Sequence, residues 1–214
     1  MNQWSMTWKQ KLNYFWTYYK YRILGGLICI AIIVYALIYS IGIHKDTYMQ
    51  ITIVNADAVN VENSKLFDIF EETYCDTEYE ELEVEAMLKI NMDDSSQLTG
   101  TSYQVLSGKF LIGEIDLFIS DINTFTYLSQ NHCFANLEEI LSKNEIEKYQ
   151  KYFVYQTDEE DGEQYPAGIS LKESIKFQKE NFYQEEAVMG IGSTASNQEN
   201  TVKMLSFLFD ENLN

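Results

Sequence analysis

The sequence predicts an α/β domain that follows an N-terminal membrane helix. The segment from Ile23 to Ile43 contains no charged residue. At a helical rise of about 1.5 Å per residue it spans roughly 30 Å, the thickness of a bilayer's hydrocarbon core. Between residues 48 and 209, strand-like and helix-like patterns alternate four times. This alternation predicts three layers, a mostly parallel sheet with helices on both faces.

The charges flanking the apolar segment predict its orientation. Residues 1–43 contain four basic side chains and no acidic one, and the first carboxylate of the chain is Asp46. Lys and Arg accumulate on the cytoplasmic side of membrane helices, so the N-terminus is expected inside and the C-terminal part outside. A cleaved signal peptide is the alternative. However, the run is longer than a usual signal h-region and no small-x-small site ends it, which favours an uncleaved signal anchor.

The first 22 residues are aromatic and basic. On a helical wheel one face collects Trp4, Trp8, Leu12, Phe15, Trp16 and Tyr19. Aromatic rings favour the membrane interface, so we expect a helix on the cytoplasmic leaflet and then a turn into the span. An aromatic belt without a folded helix is the alternative. The expected organisation is a cytoplasmic interfacial segment at 1–22, a signal anchor at 23–43 and an extracytoplasmic α/β domain at 44–214.

The part that follows the span is strongly acidic. It holds all 33 acidic and 11 of the 15 basic side chains, so its formal charge is −22. Such a surface repels nucleic acid, which is therefore not an expected partner. Its two cysteines, Cys75 and Cys133, either form a disulfide or remain free thiols.

The first half of the domain predicts two strands and an intervening helix. The run 48–54 indicates a strand, and the apolar spacing over 61–74 indicates a helix. From Glu81 to Ile90, apolar residues alternate with mostly charged ones, which predicts a strand with one buried face. Its glutamates suit a strand at the edge of a sheet, where charge discourages pairing with another molecule.

The middle of the domain predicts a helix, a central strand and a second helix. Leu106 and Phe110 lie on one side of the first helix, and Gly113 follows as a plausible C-cap. The apolar run 115–119 is typical of a central parallel strand, which Asp121 closes. A helix over 122–130 is expected next.

The last third predicts short helices, a hairpin, a strand and a closing helix. Capping-box spacing predicts helix starts at Asn136 with Glu139, Asn144 with Glu147, Ser170 with Glu173, and Asn197 with Asn200. The runs 152–156 and 164–169 flank an acidic turn and indicate a late β-hairpin. The run 187–191 indicates a buried strand, and the closing helix is expected to end near residue 209.

No motif for catalysis or for metal binding is found in the sequence. The first strand-to-helix turn has no glycine, so neither a dinucleotide nor a phosphate loop is present. His132 and Cys133 are neighbours without further ligands at zinc spacing, and the acidic turn near Gly162 does not match an EF-hand. We expect no enzyme activity and no cofactor.

Polar residues at the expected strand ends form a candidate ligand site. Ligands of open parallel sheets gather outside the carboxyl ends of the strands. The residues offered there are Asn55, Asp57, Asp121, Ser193 and Thr194. The alternative is that they are loop residues and helix caps.

Several segments resemble the extracellular solute-binding proteins of the type 2 periplasmic-binding fold. They are GEIDLFISDINTFTYLSQNHCFANLEEIL from Gly113, YPAGISLKES from Tyr165 and AVMGIGSTASNQENTVKMLSFLF from Ala187. The opening WKQKLNYFWTYYKYR with its span is similar to membrane-anchored relatives in Gram-positive bacteria. The resemblance implies solute binding between two lobes and partnership with an ABC importer.

The chain departs from that family in size. Only the stretch 136–186 stands where a second lobe would be inserted, so the sequence holds one lobe. Two hypotheses follow. The first is a non-enzymatic surface protein whose reduced binding lobe contacts other envelope proteins. The second is a solute receptor that feeds an ABC-type importer, with transporter subunits as partners.

Overall fold

The computed structural model describes residues 7–42, 45–90, 101–157 and 162–210. The chain divides into two compact units, Met1–Lys45 and Asp46–Asn214. The expected polar loop at 91–99 and the acidic turn at 158–161 lie outside the described residues.

The described part of the first unit forms one long helix, α1, which runs without a break from Trp8 to Gly42. The turn expected between an interfacial helix and the span is therefore wrong. Residues 20–26 contain no proline, and the glycine pair Gly25 and Gly26 is helical. The segment Trp8–Ile38 is long and apolar enough to cross a membrane, and Leu24, Ile32 and Tyr35 are more than half exposed.

The second unit is an α/β domain built on a six-stranded mixed sheet with the order β2-β1-β3-β6-β5-β4. Its strands are β1 (Asp46–Val54), β2 (Glu80–Leu88), β3 (Leu117–Asp121), β4 (Phe153–Thr157), β5 (Gln164–Ser170) and β6 (Ala187–Ile191). β2, β1 and β3 are parallel neighbours, whereas β6 is antiparallel to both β3 and β5, and β4 is antiparallel to β5. Four of the six strands thus run in one direction, and the expected mostly parallel sheet with a late hairpin is confirmed.

Helices cover both faces of the sheet, as the alternation of elements predicts. They are α2 (Ala58–Asn63), α3 (Leu66–Tyr74), α4 (Thr101–Ile112), α5 (Ile122–Ser129), α6 (Leu137–Ile140), α7 (Lys143–Tyr149, followed by a 3-10 turn at Gln150–Tyr152), α8 (Ile175–Lys179) and α9 (Gln198–Phe209). One core lies between the sheet and α3, α6, α7, α8 and α9, and includes Ile51, Ile119 and Met189. The other lies between the sheet, α4 and α5, and includes Phe118 and Val188. Strand neighbours point to opposite faces, so Ile119 and Phe118 fall in different cores.

A close backbone approach fixes α5 against the sheet. Gly168 of β5 and Gly190 of β6 face each other in the ladder. A Cβ atom built on either glycine would lie within 3 Å of the Phe125 ring, at 2.4 Å for Gly168 and 2.7 Å for Gly190. Phe125 in turn stacks on Phe134 with ring centroids 4.4 Å apart. The two glycines therefore form the shallow depression that receives the aromatic ring.

Some helix boundaries differ from those expected, because local side-chain bonds decide them. The helix expected over 61–74 is split into α2 and α3, since Ser64 is extended and its hydroxyl accepts from the Leu66 NH at 3.0 Å. The prediction of a capping box at Asn144 with Glu147 is wrong. The capping box of α7 is formed by Ser142, whose NH donates to the Glu145 carboxylate at 2.7 Å and whose hydroxyl accepts from the Glu145 NH.

Two further caps differ in the same way. Ser170 ends β5 instead of starting a helix, and α8 is capped by Ser174 and ends at Lys179. The Ser174 hydroxyl also donates to the Leu208 carbonyl at 2.7 Å, which ties α8 to α9. α9 does start after Asn197, but the Asn197 NH donates to the Asp116 carboxylate instead of being part of a local box.

Candidate functional site

Asn55 and Asp121 meet at the carboxyl edge of the sheet. Asn55 follows β1, Asp121 ends β3, and the two strands are parallel neighbours. The Asn55 amide nitrogen donates to Asp121 Oδ2 at 2.8 Å, to Thr124 Oγ1 at 2.9 Å and to the Ile90 carbonyl at 2.8 Å. Asn55 Oδ1 accepts from the Ile90 NH at 2.8 Å. The sequence therefore predicts this pair at one edge correctly, since parallel strands place their carboxyl ends together.

Asp121 also serves as the N-cap of α5. Its Oδ1 accepts from the Thr124 NH at 2.9 Å, and its Oδ2 accepts from the Thr124 hydroxyl at 2.8 Å. A carboxylate at a helix N-terminus is favoured by the unpaired NH groups and by the helix dipole. Asn55, Asp121 and Thr124 thus bond to one another, and the network is closed by protein groups.

Tyr183 lies beneath this network. Its hydroxyl is 2.7 Å from the Val54 carbonyl and 3.1 Å from the Ile119 carbonyl, so it bridges the ends of β1 and β3. Burial, with a smaller contribution from the negative charge of Asp121, raises the pKa of Tyr183 well above its ordinary value. The hydroxyl therefore stays protonated and acts as a donor. No sequence pattern indicates this contact, because Tyr183 lies 129 positions from Val54 and 64 positions from Ile119 in the chain.

Asp57 is exposed and caps α2. Its Oδ1 accepts from the NH groups of Val59 and Asn60 at 3.0 and 3.2 Å. Its own NH donates to the Phe182 carbonyl at 2.8 Å. Asp57 is therefore a helix cap that uses one carboxylate oxygen, and its side chain is exposed to solvent at the same edge as Asn55.

Ser193 and Thr194 lie at the opposite edge of the sheet, so the expectation that all five residues share one edge is wrong. β6 is antiparallel to β3, and Ile191 pairs with Leu117 while Ala187 pairs with Asp121. The residues that follow β6 therefore lie beside the start of β3. There the Ser193 NH donates to the Cys133 carbonyl, and the Thr194 hydroxyl donates to the Phe110 carbonyl.

Asp116 is a buried carboxylate at that opposite edge, and sequence analysis did not single it out. Its Oδ2 accepts from the Gln50 NH at 2.9 Å and from the Asn197 side-chain amide at 3.1 Å, and its Oδ1 accepts from the Asn197 NH at 2.9 Å. It joins β1 to the start of α9. The sequence does carry a weak signal, since Asp116 is the acidic residue inside the otherwise apolar run 115–119.

A groove of about 700 Å³ runs along the outer side of β2. α2 and α3 form one wall, with Val61 and Phe67, and β2 forms the other, with Leu82, Val84 and Ala86. Glu62 and Asp68 stand exposed on its rim. The sequence predicts the charged edge strand correctly, but it does not reveal the groove, because no local pattern shows how closely α2 and α3 pack beside β2.

The histidine and cysteine side chains do not form a reactive cluster in the described residues. Within these ranges, no group of three or more His, Cys, Asp or Glu side chains could hold a metal ion. Cys75 and Cys133 are free thiols. Burial raises the pKa of each thiol to about 11, and the carboxylates of Glu71 and Glu80 add to the effect at Cys75. Both thiols are therefore protonated and weakly nucleophilic near neutral pH.

Comparisons of the chain with protein-family models, with curated proteins and with solved structures find no match.

Proposed function

We propose that this protein is a non-enzymatic, membrane-anchored module that contacts other proteins at the cell surface. Its α/β domain is a single reduced lobe of the type 2 periplasmic-binding kind. Support for a single lobe comes from residues 46–214, which form one compact unit. The stretch 136–186 contributes β4 and β5 to the same sheet as β1 and β3.

The closed network at Asn55 and Asp121 is the observation that carries this proposal. A solute site needs polar groups that are free to bond to the solute, and small-molecule affinity comes from enclosing most of the ligand surface. Here the Asn55 amide and both Asp121 oxygens already bond to protein groups. Binding a solute to them would first cost these hydrogen bonds.

The proposed location rests on α1 and on charge. The helix is long and apolar enough to span a membrane. All the basic residues of the first 43 precede the apolar run, and every acidic residue follows it. We infer that residues 1–22 are cytoplasmic and that the acidic domain is extracytoplasmic.

The solute receptor of an ABC-type importer is the alternative function. Asn55 has a φ of +63°, a backbone conformation that costs energy in a non-glycine residue and is frequent at functional sites. It lies at the edge where receptors of open parallel sheets bind ligands. In that case Asn55 and Asp121 would exchange their mutual bond for bonds to a solute.

Solute binding by the full-length protein in lipid nanodiscs distinguishes the two functions. We expect no sugar, amino acid or short peptide to bind with a micromolar dissociation constant, which corresponds to about −8 kcal/mol. Calorimetry measures this directly. Micromolar binding that Asp121→Ala abolishes, while the exposed control substitution Glu147→Ala leaves it intact, would establish the receptor instead.

Affinity capture from membranes then tests the proposed interaction role. The full-length protein should retain envelope proteins reproducibly, as identified by mass spectrometry. Recovery of importer subunits together with solute binding would favour the alternative. Recovery of no envelope protein above the level of an α1-only control would contradict the interaction role.

A further inference from the structure

We propose that the open edge of β2 and the groove beside it bind an extended, basic segment of another envelope protein, which adds to the sheet as a strand. This inference rests on the proposed interaction role and specifies its surface and its partner.

The backbone of β2 presents hydrogen-bonding groups away from the sheet. Among the described residues, β2 is the terminal strand in the sheet order, and β1 is its neighbour. The Leu82 NH points away from β1, because it donates to the Glu71 carboxylate of α3 at 3.3 Å, and an added strand would displace that carboxylate. Backbone groups alternate in direction along a strand, so the Val84 NH faces the same way, and the ladder with β1 is regular from Met49 and Leu82 to Thr52 and Glu85. An incoming extended segment can therefore pair with β2 by strand addition.

The groove supplies apolar contacts for one face of such a segment. Val61 and Phe67 on the helix side and Leu82, Val84 and Ala86 on the strand side line a volume of about 700 Å³. Val84 retains 36% of its exposure, which is unusual for a valine whose neighbours Leu82 and Ala86 pack on the core. Because side chains of a strand alternate in direction, every second residue of the added segment would enter this groove.

The acidic side chains around the groove and on β2 favour a basic segment as the binding partner. Glu62 and Asp68 stand exposed on the groove rim. β2 itself carries four glutamates, at positions 80, 81, 83 and 85, and only Glu85 forms an ion pair among the described residues, with Lys109 at 2.6 Å. A second copy of this chain would place glutamate against glutamate, which disfavours β2-to-β2 pairing. A segment in which Lys or Arg alternates with apolar residues would place its apolar side chains in the groove and its cations on the opposite face, toward the exposed Glu81 and Glu83.

A fluorescent peptide of about nine residues, alternating Lys and Val, tests this pairing, since natural strands have about that length or less. The full-length protein is held in phosphatidylcholine nanodiscs, and empty nanodiscs report peptide binding to lipid. Fluorescence anisotropy measures the dissociation constant at low salt. An alternating Glu and Val peptide should not bind.

Two matched protein variants separate the β2 surface from the overall charge of the domain. Glu81→Lys with Glu83→Lys should weaken peptide binding by about tenfold or more. Glu138→Lys with Glu147→Lys makes the same change in net charge at exposed positions on α6 and α7, and should weaken it by less than about threefold. An equal loss in both variants would mean bulk electrostatic attraction and would overturn the proposal.

A peptide methylated on alternate backbone nitrogens tests strand addition without altering the protein. It keeps its charge and side chains but loses the donors and the close approach that pairing needs, so it should bind at least about tenfold more weakly. Equal binding of the methylated peptide, or no binding of the unmodified one, would overturn the proposal.

Affinity capture from membranes, repeated with these variants, distinguishes failure of the β2 binding surface from failure of the proposed interaction role. If the Glu81→Lys, Glu83→Lys variant still captures the same envelope proteins as the Glu138→Lys, Glu147→Lys control, the interaction role stands and the β2 surface is wrong. If the unaltered protein captures none, the interaction role itself fails.

Discussion

The side-chain amide of Asn55 donates to Asp121 Oδ2 at 2.8 Å, joining the ends of two neighbouring parallel strands that are 66 residues apart in the chain. Thr124 and the Ile90 backbone complete the same network. The polar groups at the edge where a solute would bind therefore hold β1, β3 and the start of α5 together. These groups therefore stabilise the fold, and their contribution to the free energy of unfolding can be measured.

Two substitutions of Asn55 should separate the loss of its hydrogen bonds from the energetic cost of its positive φ. Asn55→Ala loses the network and keeps an unfavourable positive φ, so we expect the free energy of unfolding to fall by about 3 kcal/mol. Asn55→Gly loses the same side chain but adopts the positive φ freely, so it should be about 1 kcal/mol less damaging. Urea unfolding measures both. Asn63→Ala, at the exposed end of α2, is the control and should change stability by less than about 0.5 kcal/mol. Equal effects of the Ala and Gly variants would contradict the role of φ.

A Gly→Ala substitution beneath the Phe125 ring and one within α4 should change the free energy of unfolding in opposite directions. In Gly190→Ala the new Cβ would meet Phe125 at 2.7 Å and Phe134 at 2.8 Å, so stability should fall by about 1–3 kcal/mol. In Gly108→Ala, within α4, the Cβ meets nothing within 4 Å, and stability should rise by about 0.5–1 kcal/mol. Thermal unfolding reports both. In the Gly190→Ala background, Phe125→Leu should cost less than it does alone, because the clash is relieved. Strict additivity would argue against a direct contact.

The buried thiol of Cys133 predicts a loss of stability at alkaline pH. Burial raises its pKa from 9.0 to about 11, so the folded state keeps the proton after the unfolded state has lost it. The contribution is present below pH 9 and is lost as the pH rises from 9 to 11. The free energy of unfolding of the unaltered protein should therefore decline more steeply over this range than that of Cys133→Ala. Parallel declines would show that the thiol titrates normally.

The two thiols of the domain should be reduced. In a Cys29→Ser background, Cys75 and Cys133 should both react with a maleimide once the protein is denatured, without prior reductant, and only slowly in the native state. Mass spectrometry counts the adducts. Labelling that requires a reductant would indicate a disulfide and would place the domain in an oxidising compartment.

The proposed topology predicts which part of the chain a protease reaches. Protease added to intact protoplasts should degrade the domain over 44–214, while an epitope at the N-terminus survives until the membrane is permeabilised. Immunoblotting with antibodies to each end provides the readout. Survival of the domain together with loss of the N-terminal epitope would reverse the orientation.

Features set by local pattern are the ones that sequence analysis predicts correctly. The alternation in β2 and its charge predict an edge strand, and β2 is the terminal strand of the sheet. Asp121 is expected to close β3, and it does so while capping α5. Boundaries are less exact where several capping residues compete, as at Ser142 and Asn144, because the choice depends on which register buries neighbours such as Leu141 and Tyr149.

By itself the sequence determined the class of the protein: one apolar helix with a one-sided charge bias, followed by an acidic α/β domain with a late hairpin. These properties follow from composition and from periodicities of two and 3.6 residues, which are local. The tertiary structure alone decided that β6 enters the sheet antiparallel to β3, which moves Ser193 and Thr194 to the edge opposite Asn55 and Asp121. It also decided that α2 and α3 stand beside β2 to form the groove. The direction of β6 arises from contacts with β3, which lies far from it in the chain, and the groove arises from how closely α2 and α3 pack beside β2. Neither leaves a periodic trace in the sequence.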